Sequence, residues 1–76
     1  MLSPKTAVSC RYPRLLYHMM VRGFTIKEFA RCMEMAPATL RDKLHARSRW
    51  KLEEMQRARE VLGCGGNLEK LFERVN

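Results

Sequence analysis

Apolar residues recur three and four places apart along most of this chain, and no run alternates apolar with polar as a half-buried strand would. Five segments carry the helical period. In the first, Pro13 opens "PRLLYHMMVRG" and Gly23 closes it, proline at a first turn and glycine just past an end. Leu15, Leu16, Met19 and Met20 line one face of that helix. The second segment, "GFTIKEFARCM", opens on Thr25 followed three residues later by Glu28, the spacing of a capping box. Phe24 and Phe29 flank the cap at the positions of a hydrophobic staple, so the helix is expected to start at Ile26 and to turn Phe29, Ala30 and Met33 inward.

The third segment starts at Pro37, with Met35 and Leu40 in the same staple spacing and Leu44 one turn further on. After the polar connector "RSRW", the fourth places Leu52, Met55, Ala58 or Arg59, and Leu62 at helical spacing, sets Glu53 four residues before Arg57, and ends at Gly63. Trp50, just ahead of it, is expected to staple this helix to the core through Met55, the other reading being contact with a partner. The fifth follows "CGG", with Asn67 as N-cap and Leu68, Leu71 and Phe72 on one face.

Only Glu34, Met35 and Ala36 separate the second segment from the third. Two helices of about eight residues joined so tightly cannot fold back as an antiparallel hairpin. They are expected to cross steeply, with a small residue such as Ala30 where they approach. The second of the pair then presents its leading end and outer face, the arrangement of a helix-turn-helix.

At 76 residues the chain is long enough for one domain, which buries about 60% of its unfolded surface. Residues 1–11 read as a flexible basic arm, carrying Lys5 and Arg11, and residues 12–76 as the all-α domain. The formal charge of +7 is concentrated: residues 1–22 hold four basic and no acidic side chains, residues 23–50 six and three, residues 51–76 five and five. A positive balance confined to the first two thirds is the footprint of a surface facing a polyanion. Cys10, Cys32 and Cys64 are odd in number and form no C-x-x-C pair, so neither a zinc site nor a closed disulfide set is expected, and a reducing cytoplasm fits best. No apolar run reaches the roughly 20 residues of a membrane span, and the opening "MLSPKTAVSC" lacks an apolar leader core. His18 and His45 have no partner at ligand spacing. No cofactor, metal or catalytic role is expected.

"RGFTIKEFA", "APATLRDKLHARSRWKLEEM" and "REVLGCGGNLEKLF", in this order, resemble the helices of the phage repressor and Cro type of regulators, the XRE family, over residues 12–75. The resemblance implies a compact five-helix, lambda-repressor-like domain that occupies operator DNA as a homodimer and regulates transcription. By position in the family pattern, Thr25 caps the second helix and, with Lys27, faces phosphate. Ile26 stands where a glutamine often contacts a phosphate. Pro37, Ala38, Arg41 and Asp42 occupy the part of the recognition helix that meets base edges, and Ala36, Lys43, Arg47 and Arg49 the positions that meet the backbone. Among them Arg41 alone can make a bidentate contact with guanine, while Ala38 suits a thymine methyl and Asp42 a cytosine amino group. Glu34 replaces the glycine usual in the turn.

Leu68, Leu71, Phe72 and Val75 are expected to form the self-association surface, with burial in the monomer core as the competing reading. A second functional reading, from the few polar donors on the recognition helix, is a protein-binding module such as an antirepressor or antitoxin component.

Overall fold

A computed structural model describes residues 10–65 and 67–75. Proline at the first helical position removes one of the orphan N–H groups of the first turn, and α1 runs Pro13–Val21 with Leu15, Leu16 and Met19 buried. The expected apolar face is narrower than the sequence implies, since Met20 is 55% exposed. The helix ends in a Schellman motif. Gly23, at φ 73°, donates to the Met20 carbonyl and Phe24 donates to that of Met19, both at 3.0 Å.

Both halves of the expected capping box form at α2, Ile26–Cys32. The Glu28 amide donates to the Thr25 hydroxyl at 3.0 Å, and Glu28 Oε1 accepts from the Thr25 amide at 3.2 Å. The staple closes too, with the Phe24 and Phe29 rings 5.5 Å apart. The same end motif then recurs without glycine. Glu34 donates to the Arg31 carbonyl and Met35 to that of Ala30, with Glu34 at φ 57°. The chain re-enters a helix at Pro37, so α3, Pro37–Leu44, follows α2 directly and packs against it. At the end of α3, Ala46 adopts φ 61° and donates to the Lys43 carbonyl, while Arg47 donates to that of Asp42 at 2.8 Å.

The fourth helix, α4, spans Leu52–Leu62 and stops at Gly63, φ 64°. Its buried residues are Ala58 and Leu62; Leu52, placed by its spacing on the inner face, is 61% exposed. A single turn, α5 at Leu68–Leu71, is capped by Asn67, whose Oδ1 accepts from the Glu69 amide at 2.7 Å. It packs on α4 and α1. The described residues thus form an all-α fold of five helices around one core centred on Phe29, Leu15, Met19, Leu40, Leu44 and Leu62.

Two boundaries differ from the sequence reading. Cys10 is buried and Arg11 is fastened at both ends of its peptide, its amide donating to the Leu44 carbonyl and its carbonyl accepting from the Val75 amide, both at 2.9 Å. These two residues belong to the domain, and the rest of the expected arm, with Lys5, lies outside the described residues. Leu71 and Phe72 are buried in the monomer core, which overturns their assignment to a self-association surface. Phe72 stacks edge-on against Trp50 and Tyr12, at 4.9 and 6.1 Å between ring centroids, so the aromatic cluster ties the chain's last turn to the connector and to the start of α1. Trp50 is accordingly half-buried in the fold.

Candidate nucleic-acid interface

The leading end of α3 is uncapped. Its N-cap is Ala36, which has no side-chain acceptor, its first turn contains no acidic residue, and Pro37 has no N–H. The first intrahelical donor is Leu40, bonded to the Ala36 carbonyl at 3.1 Å. The exposed Ala38 and Thr39 amides therefore stand open at the positive end of the helix dipole, an arrangement that accepts an anion. Thr39 adds a hydroxyl at the same end. The sequence reading passes over it, yet its exposure beside Ala38 was legible in the helical period.

The acidic side chains of this region are each engaged internally. Asp42 lies 3.5 Å from the Arg47 guanidinium, and Glu34, on the turn, lies 3.1 Å from that of Arg57 on α4. Glu28 is held by Thr25, whose hydroxyl donates to its carboxylate at 2.9 Å; these bonds lower the Glu28 pKa. Against this, Lys27, Arg41 and Arg49 are exposed and their side chains have no partner among the described residues. Both carboxylate–arginine pairs are exposed and neutralise only in part, and with Lys27, Arg41 and Arg49 unpaired among the described residues the balance of charge around α3 and its following loop is positive.

Lys43 is the sequence-predicted phosphate contact that the structure removes from the surface. It is only 6% exposed. Its ammonium donates to the Arg49 carbonyl at 2.9 Å and to Glu54 Oε1 at 3.0 Å, and lies 5.9 Å from the centre of the Trp50 ring. The cause is helical period: Lys43 follows Leu40 by three and precedes Leu44 by one, which puts its stem on the inner face, where a long aliphatic chain can be buried if its head finds partners. Burial pushes the Glu54 carboxyl up, but the Lys51 amide, at 2.9 Å, and the Lys43 ammonium together hold it below the ordinary glutamate range. Lys51 has no acceptor, so only this carboxylate half of a capping box forms at α4. The result is a fixed connector: Glu54 and Lys43 hold the backbone at Arg49 and Lys51, and the Arg49 side chain projects from an anchored residue.

Of the other sequence-predicted site residues, Ala36, Pro37, Ala38 and Arg41 are exposed together on the first turns of α3, Asp42 is half-buried beside them, and Arg47 and Arg49 are exposed on the connector. Thr25 and Lys27 belong to the start of α2, where Thr25 is committed to its cap and Lys27 is free. Ile26, where the resemblance would put a phosphate-binding glutamine, is buried. Among the described residues no cluster of histidine, cysteine and carboxylate side chains could hold a metal ion, and no helix is long and apolar enough to cross a membrane. The three cysteines are free thiols. Comparison with protein-family models, with curated proteins and with solved structures gives no match to this chain.

Proposed function

We propose that this chain is a small regulator that binds double-stranded DNA, with α2, its turn and α3 acting as a helix-turn-helix whose α3 enters the major groove. The observation that carries the reading is the division of charge around α3. Asp42 and Glu34 each face an arginine across an exposed pair, while Arg41, Arg49 and Lys27 have no side-chain partner among the described residues and α3 begins uncapped. Arg41 is the side chain for a base edge; the Ala38 and Thr39 amides, Arg49 and Lys27 are the groups for phosphates. Lys43 takes no part in contact and acts by fixing the connector.

Size supports a homodimer on the operator. The domain's longest extent is 28 Å, whereas successive major grooves on one face of B-DNA lie about 34 Å apart, so two copies are needed to read two half-sites. Occupancy of an operator by such a dimer would block or recruit polymerase in a cytoplasmic, phage- or mobile-element-type setting. A second reading, a protein-binding module with the same fold, draws on one observation: Tyr17, Met20 and Val21 form an exposed apolar face on α1.

Fluorescence anisotropy with a labelled duplex of mixed sequence separates the two. A DNA binder that neutralises two phosphates per protomer, through Arg49 and Lys27, loses affinity with a log-log salt slope of about −1.8 per protomer. Absence of binding at low salt contradicts the reading and favours the protein partner.

A further inference from the structure

With Leu71 and Phe72 in the core, the self-association proposed above needs another surface. Five large apolar side chains are exposed among the described residues, and three of them, Tyr17, Met20 and Val21, stand together on α1. Leu52 and Val75 stand apart, at the start of α4 and beyond α5. With the exposed Pro13, the three fall at i, i+4, i+7 and i+8, one stripe that carries no charge. Arg14, His18 and Arg22 make a separate row beside it. Arg14 and His18 line the cleft toward α5, where Arg14 meets Glu73, and Arg22 folds back on His18. The cations of α1 thus keep to one side of the stripe.

We propose that a second copy of the chain packs on this stripe, α1 against α1 about a two-fold axis, and that the pair forms on DNA rather than before it. A two-fold sets the same patch on both sides, so the Tyr17 ring of one copy meets Met20 and Val21 of the other, an aromatic anchor against an adaptable thioether. Tyr17 is held for this by an edge-on contact with His18, 5.6 Å between ring centroids. An uncharged stripe asks for no opposite charge, which suits its own copy better than an acidic or basic partner. Two magnitudes decide when the pair forms. A stable interface takes about 800 Å² and about 20–30 residues from each partner, and one short stripe supplies a small part of that. Each copy also carries a formal charge of +7, so free chains repel. Duplex phosphates offset that charge and hold two copies side by side at high effective concentration. The DNA dependence rests on the DNA reading above; the stripe uses none of the side chains assigned to DNA.

The test compares the full chain with its variant Tyr17→Ser/Val21→Ser, which leaves the core intact because both side chains are exposed. First, in NMR spectra diluted from about 1 mM, the wild-type signals of Tyr17, Met20 and Val21 should move with concentration. They should move more at about 500 mM salt than at about 50 mM, because salt screens the repulsion between copies, and the variant's should stay still. Second, anisotropy is read on mixed-sequence duplexes of about 10 and about 21 base pairs, room for one copy and for two. The variant should bind the short duplex as tightly as the wild type and the long one at least about fivefold more weakly. Concentration-dependent shifts centred on Leu52 or Val75, or a variant matching the wild type in both arms, would overturn the proposal. A wild type fully paired at micromolar concentration and low salt would overturn the DNA dependence. Failure of both proteins on both duplexes, with the shifts at Tyr17 present, would sink the DNA reading while the α1 pairing stands.

Discussion

The ammonium of Lys43 sits 3.0 Å from the carboxylate of Glu54, joining the last turn of α3 to the first turn of α4 beneath the loop between them. The two ends are unequally buried, the lysine side chain at 8% exposure and the glutamate at 24%. Removing the glutamate strands a buried charge; removing the lysine leaves a carboxylate that still accepts from the Lys51 amide. Glu54→Leu should therefore cost about 2–4 kcal/mol and Lys43→Met about 1 kcal/mol. The double variant Lys43→Met/Glu54→Leu should be more stable than Glu54→Leu alone. Urea unfolding of the three variants measures this, and a double variant less stable than Glu54→Leu would mean that the lysine is not stranded.

The same carboxylate sets an acid limit. Glu54 and Glu28 both titrate below the ordinary glutamate value of 4.5 in the folded chain. Between the folded and unfolded values the unfolded chain binds more protons, so these groups contribute stability that is full above about pH 5 and lost as pH falls through the folded values. The urea midpoint should fall as pH drops below about pH 5, and Glu54→Gln should make that fall shallower. An unchanged acid limb in Glu54→Gln would remove the linkage.

Two helix ends use a left-handed backbone without glycine. Glu34 and Ala46 sit at φ 57° and 61°, the same conformation that Gly23 adopts at the end of α1. A side chain there costs about 1–2 kcal/mol, partly offset by glycine's greater unfolded entropy. Ala46→Gly should stabilise the domain by about 0.5–1 kcal/mol, read as a raised Tm. Glu34→Gly should do the same, since the Arg57 pair it breaks is exposed and contributes little. It should also tighten DNA binding by removing a negative charge from the turn.

These positions mark where sequence reading succeeds and where it stops. Thr25 with Glu28, Phe24 with Phe29, Gly23, and Asn67 are local signals, complete within a few residues, and their helix ends lie where those residues put them. The left-handed turn at Glu34 was legible only through the resemblance, which puts a glycine at that position. Ala46 was not, because alanine carries no mark of positive φ. Lys43 was misread because charge suggested surface, although its spacing from Leu40 and Leu44 already pointed inward. The fastening of Arg11 to Leu44 and Val75 joins residues far apart in the chain, and no local pattern announces it. Leu71 and Phe72 read alike as interface or core, and for Phe72 the neighbouring Tyr12 and Trp50 rings decide for core.

The central claim rests on Arg41 as base reader and on Arg49 as a phosphate contact held in place by Lys43. Binding selection from random duplex DNA, sequenced for the wild type, Arg41→Ala and Arg49→Ala at two salt concentrations, tests it most directly. The account predicts a symmetric motif with half-sites about one helical turn apart, relaxed at a guanine position by Arg41→Ala and uniformly weakened by Arg49→Ala. Recovery of no motif from the wild type, or an identical motif and affinity in both variants, would contradict it.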